Sequence, residues 1–306
     1  MYDVIIIGGG PGGTAAGVYA ARKKMNALLI ASEFGGQSIV AGDIQNWIGE
    51  VSIAGTDLAK KLEEHVRAQE GLEIKMPEKV ESVEKKEGGY IVKTDKGEYE
   101  TKTVVVTSGA RRRRLGVPGE EQFEGRGVVY CSTCDAPLFR DKTVVVVGGG
   151  NSGVEAAQDL IPYAKEIRLM EYGDALKADP VTVEQVKKSD KVKEIIFNAE
   201  TKEVLGETLV SGIKYTDRES GEEKMLDVEG IFVEIGSVPN SEFVKGLVDL
   251  SDYGEIIVDH KTGETSAEGI FAAGDVTDAK YKQNNISAGD SIKAILSAHE
   301  YVLKHS

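Results

Sequence analysis

The sequence has little cysteine. Cys131 and Cys134 are the only two among 306 residues. So sparse a pair does not build an extracellular disulfide framework. Histidine is scarce as well. His65, His260, His299 and His305 are scattered, and none stands near the cysteines. A metal site would need more ligands at suitable spacing, so none is expected. Long apolar runs are missing, and no stretch approaches the ~20 residues of a membrane helix. The opening Met1-Tyr2-Asp3-Val4-Ile5-Ile6-Ile7 has no basic leader and runs straight into glycines, unlike a signal peptide. A soluble, cytoplasmic protein with no membrane association is expected. Positive charge is in deficit: 37 Lys and Arg stand against 51 Asp and Glu, a net charge of −14. Such a surface repels phosphate backbones, which argues against nucleic-acid binding.

What is present is length and repetition. Domains usually run to ~100–200 residues, so this chain should hold two. Two segments resemble each other. The apolar run Tyr2 to Ile7 meets Gly8-Gly9-Gly10-Pro11-Gly12-Gly13, and Thr143 to Val147 meets Gly148-Gly149-Gly150-Asn151-Ser152-Gly153. Each run is a buried strand by its continuous β-branched character. Each then enters G-x-G-x-x-G ahead of Ala-rich, helix-forming sequence. In that motif the first glycine permits the tight turn, the second lets a pyrophosphate approach the backbone, and the third lets helix pack on strand. One such motif is weak evidence. Two, each after a buried strand, predict two dinucleotide sites on an α/β fold of two Rossmann-like three-layer domains.

Between the motifs stands Tyr130-Cys131-Ser132-Thr133-Cys134-Asp135. Taken alone, C-x-x-C fits a redox pair, two buried structural cysteines or half a zinc site. With Cys134 in the first turn of a helix, the helix dipole would favour thiolate. Asp135 suits an acid/base beside the pair, with a helix-first-turn carboxylate as the plainer alternative. Arg111-Arg112-Arg113-Arg114 reads as a solvated charged loop, with a docking patch for an acidic partner as the sharper alternative. Leu58 to Gln69 reads as an amphipathic surface helix, on which His65 needs no function. Asn285 to Ser297 reads as a closing helix.

Near the C-terminus, Ile270 to Ala273 reads as a short strand ending in Gly274-Asp275, and Thr107-Ser108-Gly109-Ala110 follows the strand Thr103 to Val106. At these positions the chain resembles the two-dinucleotide flavoprotein disulfide reductases. The resemblance implies FAD on the first glycine motif and a nicotinamide on the second. It also implies a discontinuous FAD domain, 1–114 and 247–306, with the nicotinamide domain 115–246 inserted and carrying the cysteines. Gly116-Val117-Pro118-Gly119 and Gly236-Ser237-Val238-Pro239 are the expected crossings. The cysteine pair just ahead of Val144 makes the chain similar to low-molecular-weight thioredoxin reductases. Phe34-Gly35-Gly36-Gln37, Asn46-Trp47, Cys131-x-x-Cys134-Asp135 and Tyr281-Lys282-Gln283 carry that likeness. The run Gly148 to Ala157, Glu171 and Lys177-Ala178-Asp179 resemble most the reductase half of the alkyl hydroperoxide reductase flavoprotein. That flavoprotein has an N-terminal redoxin-like domain, and the chain begins at the first FAD strand, so a separate acceptor protein is expected.

The resemblance implies a cycle in which hydride passes from nicotinamide to flavin, the flavin reduces the disulfide through Cys134, and Cys131 attacks the partner's disulfide, with Asp135 managing the proton. It implies rotation of one domain against the other, a homodimer, and a thioredoxin- or glutaredoxin-like partner. For FAD the expected residues are Gly8, Gly10, Gly13, Gln37, Asn46, Gly274, Asp275 and Gln283; Glu33 suits the adenosine ribose and equally a surface-loop carboxylate, and the N-terminus of the closing helix is placed to point at the flavin ring. For NADH or NADPH they are Gly148, Gly150, Asn151, Ser152, Gly153, Glu171 and Lys177. Glu171 follows the strand Glu166 to Met170, where a carboxylate takes the ribose hydroxyls. Thioredoxin reductases show His-Arg-Arg-x-x-x-Arg there. This chain has Glu171, Tyr172, Gly173 and Lys177, so NADH is expected over NADPH. The alternatives are a reductase feeding a peroxiredoxin system, a dithiol oxidase and a flavin redox sensor.

Overall fold

The computed structural model describes residues 1–41 and 44–305. The chain forms two compact units, 1–111 with 238–306, and 112–237.

The first unit is built on a seven-stranded sheet. Leu72–Lys75, Ala27–Ile30, Tyr2–Ile7 and Glu98–Val106 run parallel in that order. Glu98–Val106 is long enough to carry two neighbours along one edge. Its first half pairs with Gly89–Thr94 antiparallel, and its last residues pair with Ile270–Ala272 in parallel. The central strands are buried on both faces, which is why they are apolar without alternation. Val4, Ile6, Leu29 and Val105 face the helices Pro11–Arg22 and Asn284–Lys304. Ile5, Ile7, Leu28 and Val106 face Val83, Val92 and Val244 on the other side.

The second unit repeats the scheme. Val192–Ile196, Glu166–Met170, Thr143–Val147, Gly230–Val233 and Val128–Val129 form a parallel sheet, and three antiparallel strands between 199 and 227 form a second one. Both glycine motifs thus follow a central parallel strand and open a helix, Pro11–Arg22 in one unit and Asn151–Leu160 in the other.

The crossings fall at 111/112 and 237/238. The return lies upstream of the residue 247 read from the sequence, because Val244 packs into the first unit's core and Asn240 bonds Ser108. Gly116 to Gly119 belongs to the second unit and is not a crossing. The buried Glu120 accepts hydrogen bonds from the N–H groups of Leu115 and Gly116, and the Val204 N–H donates to the Pro118 carbonyl. Pattern alone does not show which side of a boundary such a loop packs on.

Candidate functional site

The two glycine loops have nearly the same geometry. Gly8 and Gly148 adopt φ of +123° and +126°, which other residues avoid. A Cβ on Gly13 would run into the Gly8 carbonyl oxygen, and one on Gly153 into that of Gly148. Gly150 has nothing within 4 Å of where its Cβ would stand, and Gly10 only a Gly36 backbone atom at 4.0 Å. Each loop therefore closes tightly on itself and leaves its middle glycine open for a ligand to approach a helix N-terminus.

In the first unit this loop lines a cavity of about 870 Å³. Gly8, Gly10, Glu33, Gln37, Gly274 and Asp275 line it, as do Asn284 and Ser287 of the last helix. The Ser287 hydroxyl donates to Asp275 at 3.1 Å, and Asn284 accepts from the Ser38 hydroxyl at 3.2 Å. Asn46 and Gln283 bond each other at 3.2 Å, and neither lines this cavity. The size, the open glycine cradle and the polar groups along the walls fit an extended dinucleotide such as FAD. The sequence points the N-terminus of the closing helix towards the flavin but singles out neither Asn284 nor Ser287, whose places on the cavity wall come from the fold.

In the second unit, Glu171 ends the strand Glu166–Met170. Its carboxylate accepts from the Gly149 N–H at 2.6 Å and the Gly173 N–H at 2.7 Å. Glu171 thus braces the glycine loop. Each carboxylate oxygen keeps a further lone pair for a ribose hydroxyl. The Lys177 N–H donates to the Gly149 carbonyl, and Asn151 accepts from the Asp179 N–H, so the loop is held from both sides. Ser152 opens the same helix. One cation here has no sequence signal. Arg218, from the turn after a distant strand, lies 4.0 Å from the Tyr172 ring centroid and donates to the Tyr172 carbonyl.

The redox pair sits in the same unit. Cys131 and Cys134 form a disulfide with Cα atoms 5.3 Å apart. Cys131 caps the short helix Ser132–Asp135, so Cys134 lies in its first turn. A turn over 136–139 follows, anchored by Phe139 edge-on to Phe232 at 4.8 Å, a contact worth about 1 kcal/mol beyond burial. Gly230 has no Cβ because the Phe139 ring occupies that place. On the other flank the buried Tyr130 hydroxyl donates to Glu120 at 2.9 Å. Asp135 is half-buried, and burial pushes its carboxyl up to about 6, with Arg112 opposing. An acid held near neutrality beside a disulfide is suited to proton transfer.

The arginine run divides. Arg111 pairs with Glu242 at 2.6 Å and Arg114 with Glu124 at 2.7 Å, while Arg112 acts on Asp135. Sequence reading also missed Glu234, a carboxyl buried beside Ser132. Its only signal is a lone acid in the apolar run Gly230-Ile231-Phe232-Val233-Glu234-Ile235-Gly236.

Two Rossmann-like units with dinucleotide-type glycine loops, one of them bearing a C-x-x-C disulfide, define a two-domain nucleotide-dependent redox protein. The family pattern described as pyridine nucleotide-disulphide oxidoreductase matches residues 2–297, and the chain belongs to that family. It is 42% identical over 304 residues to the NADH dehydrogenase of Bacillus subtilis, covering 99% of this chain and 59% of that protein. It is 44% identical over 309 residues to the F component of alkyl hydroperoxide reductase from Pseudomonas aeruginosa, covering 100% of this chain and 59% of that one. The chain therefore spans about three-fifths of the length of these curated relatives. The thioredoxin reductase of Streptococcus pyogenes has the same fold, with a TM-score of 0.92, 35% identity and 99% of each chain covered. Among the described residues no helix is long and apolar enough to cross a membrane.

Proposed function

We propose that the chain is a disulfide reductase of the thioredoxin-reductase type. In this reading, electrons from NADH, and less readily NADPH, pass through FAD to the Cys131–Cys134 disulfide and on to a thioredoxin- or glutaredoxin-like protein. The observation that carries it is the Cys131–Cys134 disulfide, held in the same unit as a dinucleotide-type glycine loop. Flavin and nicotinamide, when bound, supply two electrons. Gly8, Gly10, Gly13, Gly274 and Asp275 would hold the flavin nucleotide, with Glu33 and Gln37 along the same cavity and the Asn46–Gln283 pair nearby. Gly148, Gly150, Asn151, Ser152, Gly153, Glu171 and Lys177 would hold the nicotinamide nucleotide.

The residues then divide the work. Reduction opens the disulfide and leaves sulfur of thiolate character. Asp135 protonates or deprotonates that sulfur. It carries its proton below about pH 6 and loses it above, so it is an acid on the low side and a base at neutrality. Cys131, at the helix cap, attacks the partner disulfide, and Cys134 resolves the mixed disulfide. A cytoplasmic homodimer completes the reading.

A second reading, electron delivery to a peroxide-reducing system, is favoured by the similarity to the alkyl hydroperoxide reductase component. The acceptor differs between the two readings, and the chemistry on this chain does not.

The purified protein should be yellow and release FAD on denaturation, identified by mass spectrometry. It should also oxidise NADH faster when an aromatic disulfide is added. Released FMN, a colourless protein, or NADH oxidation indifferent to disulfide would each contradict the proposal.

A further inference from the structure

Glu234 is 9% exposed and is used by none of the steps above. It follows the strand Gly230–Val233 directly, and its N–H donates to the Val147 carbonyl at 2.8 Å, at the mouth of the second glycine loop. Its carboxylate accepts from the Ser132 N–H at 3.3 Å. Ser132 lies between the two cysteines and opens the helix that Cys131 caps. The Ser132 hydroxyl donates to Asp159 at 2.9 Å, so both hydrogen-bond donors of this residue are held by carboxylates. The charged groups acting on Glu234 come from three elements: Arg112 from the crossing segment, Asp159 from the helix Asn151–Leu160, and Asp135 from the redox helix.

We propose that Glu234 is a positioning residue of the disulfide chemistry, which fixes the segment between the cysteines and stores one of the protons taken up when the pair is reduced. This rests on the disulfide-reductase reading. Reduction adds two electrons to the S–S bond, which breaks. Full conversion to two thiols takes two protons. Where one sulfur remains a thiolate, one proton goes to the other sulfur and the second goes to the Glu234 carboxylate. The two electrons come from the nicotinamide through the flavin. Burial, with Asp159 and Asp135 adding to it against Arg112 and the Ser132 N–H, pushes the Glu234 carboxyl up to about 7. Below that pH the group is neutral and leaves the thiols unaffected. Above it, a buried negative charge bonded to the inter-cysteine backbone disfavours thiolate.

The test is the pH profile of iodoacetamide alkylation of the FAD-loaded protein after chemical reduction and removal of the reductant. Because the chain has only two cysteines, total label reports the pair. Glu234→Gln keeps an acceptor for Ser132 and loses the charge. Wild type and variant should react alike below about pH 7, and the variant should become about three- to tenfold faster above it. Superimposable profiles, or an offset independent of pH, would overturn the proposal. Should the glutamine variant fail to fold, Arg112→Gln removes the opposing cation and should move the bend in the profile to higher pH. An unmoved bend would then overturn it. Chemical reduction makes this readout independent of turnover. A wild type that cannot transfer electrons from NADH defeats the function reading, whereas a flat comparison in an active enzyme defeats only the role of Glu234.

Discussion

Replacing Cys131 by serine is expected to lower the rate of protein-disulfide reduction by ~10³-fold or more, because a nucleophile acting as a unit with its partner is not substituted in part. The attacking species is a thiolate, and a serine hydroxyl does not ionise near neutrality. Cys131 sits at the cap, ahead of the first helical residue, and Cys134 within the first turn. The two thiols therefore have different surroundings and should behave differently. With Cys134→Ser, Cys131 can still capture a partner and hold it as a mixed disulfide that nothing resolves. With Cys131→Ser, capture itself should be lost. NADH should bleach the flavin absorbance in both variants, since neither cysteine belongs to the glycine loops. Trapping from a lysate with Cys134→Ser would at the same time identify the acceptor. Wild-type disulfide reduction by Cys131→Ser would show that another group carries the chemistry.

The nicotinamide preference should be the second largest effect. Glu171 places a carboxylate on the Gly149 and Gly173 N–H groups, beside the open face of Gly150. A 2′-phosphate brought to this strand end meets a like charge. Losing a contact and gaining repulsion together amount to ~2–3 kcal/mol, or about thirty- to a hundredfold in kcat/KM in favour of NADH. Arg218 and Lys177 are the opposing cations. Arg218 is committed to the Tyr172 ring and carbonyl, which limits its reach. Glu171→Gln should cut the preference by about tenfold, since it removes charge while keeping an acceptor for the loop. Glu171→Arg with Tyr172→Arg should move the ratio further towards NADPH and also lose the brace on Gly149, so its thermal midpoint should fall. Equal use of the two nicotinamides by wild type, or a ratio unmoved in either variant, would remove the basis for this assignment.

Local pattern made the strands and loops legible. Tyr2–Ile7 and Thr143–Val147 stand where continuous apolar runs put them, because a strand buried on both faces has no polar positions to hide. The glycine spacing carried the loop geometry, since positive φ at Gly8 and Gly148 and closure at Gly13 and Gly153 are properties of a few consecutive residues. The closing helix was legible only in part. It runs over Asn284–Lys304, past Ser297, because Ala298 and Val302 continue its buried face. Long-range partners were not legible. Glu234 meets Ser132 across about a hundred residues of chain, and Arg218 meets Tyr172 from a separate sheet. Arg111 to Arg114 read as one charged run. The chain passes between units at its first members, so its arginines serve different partners.

The most direct measurement counts thiols. Under anaerobic conditions the FAD-loaded protein is mixed with a slight excess of NADH, quenched in acid and alkylated, and the label is mapped by mass spectrometry. Both Cys131 and Cys134 should change from unlabelled to labelled, and the NADH consumed should equal the disulfide opened plus the flavin reduced, one nicotinamide for each. A flavin that NADH reduces while both cysteines stay unlabelled would contradict the passage of electrons to this pair.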